Sequence, residues 1–233
     1  MTLLAVLFWA LAAPAGAAEG PSFGAGTSFA AGTGRYWRLA LSGDAQWTLP
    51  PWAPYGWAEF AADRYASHRF AFGGGTWHEL DEDVRVKGGL SYAVGRYRDT
   101  DLGSHAVTLE TGAERRFEGG TAGAEYLYTT GALGRSGGSV ERNRGGQLRR
   151  TRSSAGPSFT DHTLAAYGRI PSGETTVGLR VALDVLSDDD DVLSETLSWK
   201  LPIAEETWLT PALTLEEGRD TAAILSLALY RTF

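Results

Sequence analysis

The chain has no cysteine, a single methionine and, past its first residues, no apolar run long enough to cross a bilayer as a helix. Lack of cysteine excludes disulfides, thiolate metal sites and a lipidated N-terminal cysteine. Lack of a run of about 18 apolar residues excludes a transmembrane helix. Positive charge is also in short supply: 21 Lys and Arg stand against 28 Asp and Glu, a formal net charge of -7. That balance argues against nucleic acid as a partner, since phosphates require a basic face. Helical periodicity is almost absent. No phosphate-binding loop, nucleotide motif or His/Cys metal-ligand cluster occurs, so no cofactor and no metal is expected.

The N-terminus has the pattern of an export signal. Leu3 to Ala13 form an apolar core too short to span a bilayer, and Pro14 ends it. Ala15-Gly16-Ala17 or Gly16-Ala17-Ala18 then fits a small-residue cleavage site. Residues 1–18 are expected to be a cleaved secretion signal, with 19–233 a single domain exported through the periplasm.

Period-two alternation dominates that domain. Val84, Val86, Leu90, Tyr92 and Val94 alternate with Arg85, Lys87, Gly89, Ser91 and Ala93. Val177, Leu179, Val181, Leu183 and Val185 alternate with Gly178, Arg180, Ala182 and Asp184. Near the end, Leu225, Leu227 and Leu229 alternate with Ser226, Ala228 and Tyr230, and the last residue is Phe233. Such alternation reads as strands with one apolar face. A soluble sandwich would show it too, but its strands are shorter, about 5–6 residues at the mode. Gly and Ala crowd the polar face here, as a curved, narrow interior requires. The pattern predicts an all-β fold, a closed antiparallel transmembrane up-and-down barrel of about 12 strands.

The expected strands are 22–30, 35–49, 55–65, 68–79, 83–97, 104–117, 120–132, 157–170, 174–186, 192–201, 206–217 and 221–233. An even count puts both termini on one side. If that side is the periplasm, its turns are the short PPWAP, ELDED, EGG, PSGE and the stretch around Pro202. The other side receives longer connections, above all a Gly/Ser/Arg-rich loop at about 131–157. Short periplasmic turns with longer outer loops are the outer-membrane pattern. Trp47, Trp52, Trp57, Trp77, Trp199 and Trp208 all fall beside the proposed periplasmic turns, as an aromatic girdle would. Setting Tyr97 opposite Ser104 pairs Val94 with Val107 outside and Lys87 with Glu114 inside.

The whole exported chain resembles the small outer-membrane barrels of Gram-negative bacteria. Phe233 resembles the C-terminal aromatic that outer-membrane assembly machinery recognises, although Arg231 stands where a second aromatic is usual. A narrower resemblance, to the YaiO-like barrels, is carried by "RYWRLAL", "YAVGRYRDTDL" and the last strand ending in Phe233. It implies an outer-membrane location and no catalytic residues.

Lipid hydrolases of that membrane need a nucleophile and base within hydrogen-bond reach. Ser67-His68 and Ser104-His105 are sequence neighbours, so on strands their side chains point to opposite faces. His162 has Thr160 and Leu164 on its own face. An enzyme is therefore not expected. Arg135, Arg142, Arg144, Arg149, Arg150 and Arg152 crowd the long loop against Glu141; arginine forks suit phosphate, and a solvated loop is the plainer reading. Asp188 to Asp191 read as a solvated turn. The charges expected on the inner face are Asp44, Arg85, Lys87, Glu110, Glu114, Arg116, Arg180, Asp184, Lys200 and Glu216. Both signs are present, so an ion-pair network filling the barrel competes with a hydrated pore lining. So many unpaired charges would be costly to bury, and some water inside is expected either way.

The leading expectation is a narrow water-filled pore for small solutes or ions. A scaffold whose outer loops bind lipopolysaccharide or a protein partner is the alternative, and an outer-membrane lipid hydrolase the third reading. Expected partners are outer-membrane lipid, lipopolysaccharide and the assembly machinery.

Overall fold

The computed structural model describes residues 20–64, 66–97, 103–133, 139–143, 147–151, 158–187, 190–218 and 221–233. The expected signal lies outside the described residues, as do Arg135, Arg144, Arg152, Asp188 and Asp189. The strands are β1 (Ser22–Gly32), β2 (Tyr36–Gln46), β3 (Trp52–Asp63), β4 (Ala66–Glu79), β5 (Val84–Tyr97), β6 (Gly103–Phe117) and β7 (Gly120–Leu133). They continue as β8 (Ser139–Asn143), β9 (Gln147–Thr151), β10 (Ser158–Ser172), β11 (Thr175–Leu186), β12 (Val192–Ala204), β13 (Thr207–Glu217) and β14 (Thr221–Thr232). All but β8 and β9 form one closed antiparallel barrel of twelve strands, each hydrogen-bonded to its sequence neighbour and β14 returning to β1. Closure removes the two unpaired edges that an open sheet would present. Gly24 pairs with Thr232 and Gly32 with Ile224 along the seam.

Side chains that reach over an intervening strand identify the inner face. Tyr230 on β14 donates to Asp44 on β2 over β1, at 2.8 Å. Tyr167 on β10 reaches Glu114 on β6 across β7, at 3.1 Å. Side chains converge on the concave side of a curved sheet and diverge on the convex side, so such contacts belong to the lumen. The alternation then assigns every other position. Leu225, Leu227 and Leu229 point outward and are 66%, 47% and 41% exposed.

Among the described residues there is no conventional core. The buried apolar residues are mostly alanines, among them Ala40, Ala61, Ala71, Ala165 and Ala182 on the inner face. The leucines, phenylalanines and valines that would fill a sandwich interior instead cover the outside of the barrel. An apolar exterior of that extent is unstable in water and is satisfied by lipid.

The start of β1 and the end of β14 lie at one end, called here the terminal end, with connections 47–51, 80–83, 118–119, 173–174 and 205–206. The other, loop end carries 33–35, 64–65, 98–102, 134–157, 187–191 and 218–220. Each expected strand is present, with ends moved by a few residues.

Three expectations need correction. The register across β5 and β6 is displaced by two residues: Arg85, not Lys87, stands opposite Glu114, and Val94 meets His105. A two-residue slip keeps every side chain on its own face, so alternation cannot detect it. Trp52, read as part of a turn, already pairs with His78 in β3. The long loop begins after Leu133 and includes the hairpin β8–β9, with Glu141 opposite Arg149, Val140 opposite Arg150, and Arg142 opposite Leu148.

Candidate functional site

The lumen wall has two unlike halves, and the charged half spans β5, β6, β7, β10 and β11. Glu114, whose side chain is only 2% exposed, receives Arg85 Nε and Nη2 on one oxygen at 3.0 and 2.8 Å. Its other oxygen takes the Tyr167 hydroxyl, with Arg169 at 3.7 Å. Glu125 accepts Arg180 on one oxygen at 2.9 Å and Lys87 on the other at 3.0 Å. Glu110 accepts Lys87 on one oxygen and Tyr55 on the other, the latter at 3.3 Å. Each of these three carboxylates thus has both oxygens engaged, which offsets much of the cost of removing them from water.

Most of these contacts cross an intervening strand, and small residues mark the crossings. Tyr55 on β3 lies over Gly75 on β4 and Gly89 on β5, where a Cβ would sit 2.7 and 2.8 Å from its hydroxyl. Tyr167 lies over Gly123 on β7, where a Cβ would come within 2.6 Å of its ring. Tyr230 crosses Gly24 on β1, and Lys87 crosses Gly112 on β6. Arg180 reaches Glu125 past the small Ala165. Glycine here is a matter of clearance rather than backbone freedom. It lets a long side chain lie flat along the wall instead of projecting into the lumen.

The other half, formed by β12, β13, β14, β1 and β2, presents short side chains over much of its height. It is interrupted by Lys200 over Trp208, by Tyr230 with Asp44, and by Arg38, which pairs with Glu59 on β3. Ser194, Thr196 and Ser198, then Thr210, Ala212 and Thr214, then Ser226 and Ala228, and Gly24, Gly26 and Ser28 share the inner face. Thr196 and Thr214 bond each other through their hydroxyls at 2.9 Å.

Of the residues the sequence assigned to the inner face, Arg85 and Glu114 are thus brought into one cluster and Lys87, Glu110 and Arg180 into a second. The two meet at the Trp77 ring, which both Arg85 and Lys87 overlie. Asp44 lies apart, bonded to Tyr230. Asp184 accepts from Thr163 near the loop end, where Glu216 is buried. Lys200 stands 4.2 Å over the Trp208 ring at the terminal end, and Arg116 is exposed at the same rim.

Sequence reasoning missed Glu125, Tyr55 and Tyr167. Parity held the signal for Glu125, because Tyr126 and Tyr128 flank it on the outer face. It also misassigned part of the tryptophan girdle. Trp52 and Trp199 face outward, whereas Trp57, Trp77 and Trp208 face the lumen, Trp57 four residues farther along its strand than the position opposite Trp77. Trp77 underlies the Arg85 guanidinium at 4.3 Å, a cation–π contact that a lipid-facing ring could not make.

On the outer face His162 accepts from or donates to the Tyr126 hydroxyl at 2.6 Å and packs edge-on against Tyr128. Its geometry is that of an aromatic cluster rather than a nucleophile–base pair. Among the described residues no group of three His, Asp or Glu is placed to hold a metal ion.

No protein-family model matches the chain, and no curated protein is similar to it. The YaiO-like resemblance therefore rests on its short motifs. Similarity appears at the level of structure. The NanC porin superimposes with a TM-score of 0.60 at 10% identity, over 89% of this chain and 98% of that one. The KdgM porin gives 0.54 at 10% identity, over 90% and 99%. The translocator domain of the autotransporter NalP from Neisseria meningitidis gives 0.63 at 10% identity, over 91% and 88%. At such identities the likeness is one of fold: a closed twelve-stranded β-barrel of the outer-membrane, porin-like kind.

Proposed function

We propose that this chain is a narrow, non-enzymatic pore of the bacterial outer membrane that passes small solutes or ions. One observation carries the reading. The described ion pairs run sideways along the wall, several of them over glycines, and none of them spans the lumen to the facing wall. A lumen closed by ion pairs would need those pairs to run from wall to wall. Twelve strands also enclose more space than the eight whose interior side chains can fill. Porins among the structural neighbours support the reading, although a translocator shares the same fold.

In this reading the loop end faces the cell surface, where lipopolysaccharide meets the 134–157 connection, and the terminal end faces the periplasm. The assembly machinery would read the strand ending in Phe233, whose backbone is held to Phe23 at the seam. The YaiO-like relationship belongs to the same proposal.

Planar-bilayer recording tests it. Purified, folded barrel is expected to give small, stable conductance steps with weak ion selectivity, since the central charges of Lys87, Arg180, Glu110 and Glu125 balance. A folded barrel that stays electrically silent, including after deletion of 134–157, would refute the pore and leave the surface scaffold.

A further inference from the structure

The terminal end of the lumen carries cations that the two clusters do not use. Arg116 on β6 stands in register with Thr121 on β7, and Thr121 with Arg169 on β10. Arg169 in turn faces Gly178 on β11, and Gly178 faces Ser198 on β12. Lys200 lies two residues beyond Ser198 on the same inner face. Three cations therefore occupy alternate strands, about 9–10 Å apart from strand to strand-but-one, with only threonine and glycine between them.

Few direct ion pairs engage them. Among the described residues neither Arg116 nor Lys200 forms an ion pair, and Arg169 meets only Glu114, at 3.7 Å. Both oxygens of that carboxylate are already held by Arg85 and Tyr167. The turns at this end add Asp81, Glu82, Asp83, Glu118, Glu174, Glu205 and Glu206, all exposed to solvent and outside the lumen wall, with Asp83 bonded through its backbone to Arg116. Aromatic rings hold two of the cations to the wall: Arg169 lies 5.0 Å from the Tyr167 ring and Lys200 lies 4.2 Å above Trp208. Between them the Ser198 hydroxyl lies over Gly178, donating to its carbonyl at 3.3 Å, and a Cβ there would stand 2.8 Å from that hydroxyl.

We infer that this ledge is a binding position for a small organic anion, a carboxylate or phosphate. The Arg169 fork supplies paired donors that match either oxyanion, Lys200 supplies a second charge, and the Thr121 hydroxyl supplies a neutral hydrogen bond. The inference deepens the pore reading by naming a solute class, and it rests on that reading for its physiological meaning. Binding itself does not require conduction.

Titration calorimetry on the barrel folded in zwitterionic detergent tests it, with glucose 6-phosphate, glucuronate and glucose as probes. Both anions are expected to bind with a millimolar Kd and glucose to show no binding. The double variant Arg169→Gln/Lys200→Gln should weaken anion binding at least about tenfold. Arg231→Gln, which removes a cation packed on Phe233 at the same end but on the outer face, should leave it unchanged. Unshifted migration of unboiled samples on gels checks that each variant is folded. Absence of anion binding in the parent protein would overturn the ledge, as would equal affinity in the double variant. An equal loss in Arg231→Gln would show diffuse attraction instead of a site. A conducting barrel that binds neither anion removes the ledge and keeps the pore, whereas a silent barrel that binds both removes the pore and keeps the ledge.

Discussion

Replacing Glu114 by alanine is expected to cost the barrel about 3 kcal/mol of folding stability, the low end of what breaking a buried ion pair costs. The carboxylate is 2% exposed and holds three neighbours: Arg85, Tyr167 and, at longer range, Arg169. Its removal strands the Arg85 guanidinium beside Trp77 and frees Tyr167 from the wall above Gly123. Water in the lumen can rehydrate part of Arg85, whose side chain is 23% exposed, and this keeps the loss from reaching the upper limit. Denaturant unfolding of vesicle-inserted protein reads the effect. The paired variant Arg85→Leu/Glu114→Ala should lose less than the sum of its single changes, because the two residues act as one unit. For comparison, Lys200→Gln should change stability by less than about 0.5 kcal/mol, as expected of an exposed residue. A Glu114→Ala loss under about 1 kcal/mol would mean that the Glu114 cluster is not a structural element.

The second large effect concerns neighbouring residues of one strand. Leu227 lies near the middle of β14 and points outward; Ser226 points into the lumen. An arginine on the lipid face at mid-membrane costs about 2–4 kcal/mol, while lumen substitutions are tolerated. Leu227→Arg is therefore expected to destabilise by that amount, and Ser226→Arg to be close to neutral. The same unfolding assay distinguishes them. Equal costs, or a greater cost for Ser226→Arg, would contradict the assignment of faces.

The strand alternation was legible in the sequence because it follows from burial of one face only, and Leu225, Leu227 and Leu229 show it without ambiguity. Register was not legible to better than two residues. Arg85 and Lys87 are both inward, and either could be set against Glu114 without moving any side chain to the wrong face. The structure takes the arrangement in which Arg85 forks onto Glu114 and Lys87 bridges Glu110 and Glu125. The face of Trp57 and Trp77 was obscured for a local reason. In β3, Tyr55 and Trp57 stand on one side and Phe60 on the other, and in β4 the run Gly73-Gly74-Gly75 erases the pattern. Those glycines are the clearance that the flat tyrosines require. They become meaningful only once three strands are aligned, as when Tyr55 is seen to pass Gly75 and Gly89 on its way to Glu110.

Because the chain contains no cysteine, single cysteines can be placed along β14 without any background. Reaction of such variants with a membrane-impermeant thiol reagent, in folded protein inserted in lipid vesicles, tests the lipid-out, water-in barrel most directly. Ile224→Cys, Ser226→Cys and Ala228→Cys should react through the lumen, and Leu225→Cys, Leu227→Cys and Leu229→Cys should be protected by lipid. The reverse alternation, or uniform reactivity along the strand, would contradict an apolar exterior around a hydrated interior. Protection at all six positions would contradict the open lumen.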